Sequence, residues 1–174
     1  PLRTEIRIEA GWIGFQDYFV HRGHSDRVLE VRFFGAVDAR PAPGVVTAID
    51  KADVVVIGPS NPPLSIWPIL SVPGMADALA RHRTVIAVSP LFSGRALKGP
   101  AHDVMATLGL PPGNAGVVAA YEGLISDLVV DRGDSTDRAE LSGPDLRVHV
   151  ADTRIADPDA AERFGKWLLG LLSS

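Results

Sequence analysis

The sequence predicts an α/β fold, a doubly wound, mainly parallel sheet with flanking helices of the Rossmann-like kind. Two observations carry this. Val54-Val55-Val56-Ile57 and Val85-Ile86-Ala87-Val88 are unbroken aliphatic runs, as strands covered on both faces require. Segments with helical spacing and Gly/Pro punctuation alternate with such strands along the chain.

Taken in order, Glu5–Ile8 and Val28–Phe34 alternate like strands, and this aromatic-rich first third reads as a meander or edge element. Pro41 and Pro43 precede a helix over Gly44–Ile49. Asp53–Ile57 is a buried strand, Gly74–His82 a helix, and Thr84–Val88 the next buried strand. Pro100 at a first helical position opens a helix reaching Leu108, which Gly109 and Pro111-Pro112 stop. Leu128–Asp131 and Leu146–Val150 are strands, and the polar stretch Gly133–Gly143 between them reads as an exposed loop. Asp157-Pro158 starts a last helix to Leu172, whose Phe164, Trp167, Leu168, Leu171 and Leu172 form one apolar face for core or interface.

The 174 residues suit one α/β unit. Apolar residues make up 46% and charged residues 22%, which disfavours disorder and coiled coil. A net charge of −4 disfavours a general nucleic-acid binder, and the absence of cysteine excludes disulfides, thiolate catalysis and cysteine-ligated zinc. The stretch Val54–Met75 has no charge, but five prolines make it unfit to cross a bilayer. No signal peptide is visible, and a cytoplasmic location is the expectation. The opening at Pro1, almost directly within a strand, reads as a fragment or a processed product.

Two loops carry the strongest chemical signal. Gly58-Pro59-Ser60-Asn61 leaves the first aliphatic strand where α/β sheets receive ligands. Ser60 and Asn61 could donate to a base, ribose or phosphate, and Ser65 could cap a short helix or face the same pocket. Equally, these are the residues of a proline-rich turn that satisfies its own backbone. Ser89-Pro90 to Gly99-Pro100 leaves the neighbouring strand, with Gly94 for close approach and Arg95 and Lys98 as cations for a phosphate, or as ordinary surface charges.

Other groups are weaker. His21 and His24 lack an evident carboxylate or cysteine partner and read as surface residues. Asp131 and Asp134 could hold a divalent ion but read as solvated. Asp152, Asp157 and Asp159 suit the start of the last helix, and Phe15, Tyr18 and Phe19 suit core packing. The sequence contains no GxSxG, HExxH, P-loop or GxGxxG, and no complete catalytic set.

Gly58-Pro59-Ser60-Asn61-Pro62, Ser65-Ile66, Pro68-Ile69-Leu70, Val72-Pro73-Gly74, Ser89-Pro90 and Gly94-Arg95-Ala96-Leu97-Lys98-Gly99-Pro100 resemble the 2-phospho-L-lactate transferase family. Phe15 to Val20 and Pro41 to Val45 extend the likeness upstream; Gly123-Leu124, Val130-Asp131 and Asp152-Thr153 extend it downstream. The resemblance implies a transferase of coenzyme F-420 biosynthesis. It would move a phospholactyl or phosphoenolpyruvyl group from a guanosine-diphosphate-linked donor to the deazaflavin Fo, releasing GMP with magnesium. It also implies that this chain is the carboxyl-terminal half. The glycine-rich loop and magnesium ligands are then expected in an amino-terminal half, and the chain alone is expected to be inactive. Ser60, Asn61, Ser65, Gly94, Arg95 and Lys98 become candidates for holding the nucleotide or its phosphates; no catalytic residue and no metal ligand is assigned. The alternatives are a non-catalytic nucleotide- or phosphate-binding module, or an assembly fragment using its last helix, and homodimerisation stays open.

Overall fold

The aliphatic runs lie side by side in a four-stranded parallel sheet in the computed structural model, which describes residues 1–96 and 101–172, the side chains of 95 and 96 excepted. The chain begins with antiparallel strands β1 (Arg3–Ile8), β2 (Gly11–Gly14) and β3 (Glu30–Phe34), in the order β2-β1-β3. The expected meander is therefore a small sheet of its own. Its glycine-flanked β2 was not expected, and β3 starts later than the apolar pattern indicated.

The parallel sheet contains β4 (Val55–Ile57) and β5 (Val85–Val88). Helices α1 (Val45–Lys51), α2 (Trp67–Leu70) and α3 (Met75–Ala80) surround them in sequence. A short hairpin, β6 (Leu91–Phe92) with β7 (Arg95–Ala96), leaves β5. Helices α4 (Ala101–Thr107) and α5 (Asn114–Ala120) lead to β8 (Asp127–Asp131). Then α6 (Asp137–Leu141) precedes β9 (Arg147–Ala151), and α7 (Pro158–Leu172) ends the chain. The strands lie in chain order β4-β5-β8-β9, all parallel, with Val55 opposite Val85, Val88 opposite Val129, and Asp127 opposite Arg147.

Both faces of the two central strands, β5 and β8, are covered, which is why they lack alternation; β4, expected as a buried strand, lies at an edge of the sheet among the described residues and leaves Val56 44% exposed. On one face Val85, Ala87, Leu128 and Val130 pack with Leu79, Met105, Val117 and Tyr121. On the other, Ile86, Val88 and Val129 meet Phe164, Trp167, Leu168 and Leu171 of α7, so the expected helix face is a core face. Ile6, Ile8, Tyr18 and Val28 join Leu64 and Val104, seating the small sheet against α4 and the segment after β4.

Two segments depart from the sequence reading. Helix α5 follows closely on Pro111-Pro112, which had read only as a stop; α4 ends at Thr107, before left-handed Gly109, and the prolines lead into a new helix. The Gly133–Gly143 stretch is not simply an exposed loop, because it contains α6 and the buried Asp134. The proposed helix-opening role of Pro100 falls outside the described residues, as do Lys98 and Gly99. No helix among the described residues is long and apolar enough to cross a membrane.

Candidate functional site

Parallel strands end at one edge, so the segments following β4, β5, β8 and β9 meet there. After β4, the Ser60 N–H donates to the Gly58 carbonyl at 2.7 Å. Asn61 then caps the turn Pro62–Ile66: its Oδ1 accepts from Leu64 N–H at 3.2 Å, and its carbonyl accepts from Ser65 N–H at 2.8 Å. The side-chain oxygen of Asn61 is thus engaged in local structure, which favours the turn reading for that atom. Ser60 and Ser65 are half-buried at this edge. The turn is positioned by α4 and α5, and Trp67 Nε1 fixes the following helix by donating to the Ala120 carbonyl at 2.9 Å.

After β5 the chain makes the β6–β7 hairpin through Ser93 and Gly94, at φ 50° and 72°. Two consecutive left-handed residues suit a hairpin turn that follows the strand twist, and Gly94 meets the second at no steric cost. Gly94 N–H donates to Asp134 Oδ1 at 2.6 Å, fastening the hairpin to the segment after β8. At Gly133 an added Cβ would lie 2.7 Å from Ser93 Oγ and 3.4 Å from Ser93 N, so a side chain there would require the Ser93 hydroxyl to turn away.

A buried polar chain braces this edge. Ser89, fully buried, donates from Oγ to Asn114 Oδ1 and accepts from Leu91 N–H at 3.1 Å. Asn114, also buried, passes the link on by donating from Nδ2 to Asp137 Oδ2 at 2.7 Å. The first residues of α5 and α6 thereby fix the exit of β5.

The two aspartates after β8 differ. Burial alone would raise the Asp131 carboxyl. Hydrogen bonds from Gly133 N–H (3.0 Å to Oδ1) and from Thr153 N–H and Oγ1 (3.3 Å to Oδ2) outweigh it and hold the carboxyl below its usual range. Asp134 is raised instead, chiefly by burial and further by the charges of Asp137 and Asp131, against the Gly94 and Ser93 N–H groups. It is 6% exposed, and its Oδ2 has no hydrogen-bond partner among the described residues. A group with a raised folded pKa favours folding at low pH and loses that contribution as pH rises. Asp134→Asn, which keeps an acceptor for Gly94, is therefore expected to raise the melting temperature at pH 7 by on the order of a few degrees. The gain should vanish below about pH 4, where the wild-type carboxyl is also neutral; thermal melts at both pH values check this.

Of the sequence candidates, Ser60, Asn61 and Gly94 stand on this edge, with Ser65 in the adjoining turn. Arg95 lies in β7, its side chain outside the described residues, as is all of Lys98. Sequence reasoning missed Ser89 and Asn114 as site-bracing residues, and treated Asp134 as solvated; it is buried. His21 does have a carboxylate partner, Asp17, at 3.1 Å. His24 is half-buried against the Phe19 ring at 5.1 Å, not a surface residue. Asp157 caps α7 as expected, accepting from Ala160 N–H at 2.8 Å. No group of three or more His, Asp or Glu side chains stands ready for a metal ion among the described residues.

Residues 1–157 match the family model described as 2-phospho-L-lactate transferase CofD. The 2-phospho-L-lactate transferase of Methanosarcina acetivorans is 34% identical over 174 residues, covering 100% of this chain and 56% of the relative. That of Methanothermobacter thermautotrophicus is 36% identical, covering 95% and 53%. That of Haloarcula marismortui is 39% identical, covering 95% and 47%. The chain thus spans about half the length of the curated relatives it matches. Its fold is similar to a crystal structure of a UPF0052 family member from Bacillus halodurans, with TM-score 0.52, 19% identity and coverage of 94% of this chain and 50% of that one. A second structure from Bacillus halodurans gives TM-score 0.51 at 20% identity. With its loops, its edge and nearly all its length accounted for by that model, the chain belongs to the 2-phospho-L-lactate transferase (CofD) family.

Proposed function

We propose that this chain is the carboxyl-terminal part of a transferase that completes a deazaflavin coenzyme, in the biosynthesis of coenzyme F-420. The family match over residues 1–157 carries the reading. The donor would be a guanosine-diphosphate-linked phospholactate or phosphoenolpyruvate, and the acceptor the hydroxyl of Fo. The hydroxyl oxygen forms a bond to the phosphorus bearing the carboxylic acid, the bond from that phosphorus to the bridging oxygen breaks, and GMP leaves. The hydroxyl proton is lost to solvent or base. Such a reaction depends on positioning and on neutralising charge around the phosphoryl group.

This chain's share is positioning. The Ser60 hydroxyl is offered to the donor nucleotide or its phosphates, with Arg95 and Lys98 as cations. Magnesium, where bound, neutralises the diphosphate. The described residues do not form a set for it: both Asp131 oxygens are engaged, and no group of three His, Asp or Glu side chains converges among them. We therefore place its ligands elsewhere in the full-length protein.

GMP release by the full-length protein, given donor and Fo, tests the reading. Ser60→Ala should lower kcat/KM roughly tenfold to a hundredfold, the cost of about one polar contact in the transition state. The 174-residue chain alone should show no turnover. Tight nucleotide binding by the full-length protein without GMP release would instead support a binding module.

A further inference from the structure

A cavity of about 170 Å³ opens on the α7 side of the sheet, between the ends of β8 and β9 and the first half of α7. Arg132 reaches it from behind β8, Asp152 and Arg154 from behind β9, and Arg163, Phe164 and Trp167 from α7. The Phe164 and Trp167 rings stack with centroids 5.7 Å apart, and the Arg154 guanidinium stands 5.7 Å from the Phe92 ring.

Among the described residues elsewhere in the chain, Arg7, Arg22, Arg32, Arg81 and Arg147 are each paired with a carboxylate, while Arg3, Arg27, Arg40, Arg83 and Arg138, scattered over the surface, are not. Arg132, Arg154 and Arg163 form no ion pair among the described residues. The one acid in the lining, Asp152, turns its Oδ1 to the backbone N–H of Arg154 at 3.3 Å. Three guanidinium groups against one carboxylate leave two net positive charges around a small space. This local excess stands out in a chain whose net charge is −4.

Size and charge select the ligand. The cavity is smaller than the roughly 300–1,000 Å³ of sites that enclose drug-sized molecules, so it suits one compact anion or the anionic end of something larger. A phosphomonoester carries about −1.5 to −2 charges at pH 7, matching the excess, and its oxygens accept from guanidinium forks. The aromatic pair offers an apolar wall to whatever the phosphate is attached to. Ser60 follows β4, three strands away from β9, or about 14 Å at ~4.8 Å per strand, so one phosphate cannot serve both places.

We propose that this cavity is a second anion site, taking the phosphate of a phosphomonoester with its organic body against Trp167. It stands independently of the transfer reaction. The test titrates phenyl phosphate into the full-length protein and follows the Trp167 indole N–H by NMR, assigned through Trp167→Phe. A saturable shift is expected that sodium chloride of equal ionic strength does not reproduce. The Arg154→Gln/Arg163→Gln double variant should weaken binding by about tenfold or more. Arg163→Gln alone, on an exposed helix position, should show a smaller loss and guards against misfolding of the pair. Absence of a saturable shift, unchanged affinity in both variants, or benzoate binding as tightly as phenyl phosphate would each overturn the proposal.

Discussion

Gly116→Ala is expected to lower the melting temperature by roughly 5–10 °C, corresponding to about 3 kcal/mol in a domain of this size. Alanine is normally the better helix former by about 1 kcal/mol, so propensity predicts the opposite sign. Packing decides it. Gly116 is buried in α5, and a Cβ there would come 2.1 Å from the Pro111 carbonyl oxygen and 2.8 Å from Met105 Cε. The methionine can move; the proline carbonyl is backbone in the turn that launches α5 and cannot shift without moving the helix. Because Asn114 opens that helix, the displacement should also break the link to Ser89 and loosen the exit of β5. A melt of the variant that matches wild type would show that this turn is not the constraint described.

Asp127→Asn is expected to cost about 3 kcal/mol near neutral pH, by an electrostatic route. The carboxylate sits at the start of β8, at the opposite end of the sheet from the candidate site, with its side chain 3% exposed. Both Arg147 donors reach it at 2.8 Å, His149 Nε2 lies at 2.7 Å and Ser126 Oγ donates at 2.7 Å. Burial opposes its ionisation, yet these partners prevail and its carboxyl is held below the usual range. A lowered folded pKa contributes stability that is full above the unfolded value near 4 and disappears as pH falls through the folded value. The gap between wild type and variant should therefore be widest at neutral pH and close in acid. Urea unfolding at pH 7 and at pH 3 measures it; a gap independent of pH would remove the electrostatic account. Arg147 is 67% exposed, so water can take over its charge, which limits the loss.

Val85-Ile86-Ala87-Val88 was legible in the sequence because burial on both faces leaves a run no surface strand would have. The α7 face was legible because its residues recur every three or four positions. Ser60, Asn61 and Gly94 were legible as loop residues following such strands. Asn114 and Asp134 were not. Their roles depend on Asp137, 23 residues away, and Gly94, 40 residues away, and no local pattern encodes such a pairing. Asp134 also sits in a polar stretch, where composition argues for solvent and only tertiary contact removes it. The turn at Pro111-Pro112-Gly113 misled for a related reason, since prolines that read as the stop of one helix can instead lead into the next.

The fastening of the β6–β7 hairpin has a consequence for how that part of the molecule can be watched. The hairpin pairs only two residues with two, too little to hold itself closed in water. Its Gly94 amide is shielded by one carboxylate, donated across from another strand's exit. Deuterium uptake at that single amide thus reports the fraction of time the hairpin is released. Replacing Asp134 with alanine would turn a slow exchanger into a fast one while the amides of β5 keep their pace, which separates the breathing of the loop from the unfolding of the sheet beneath it.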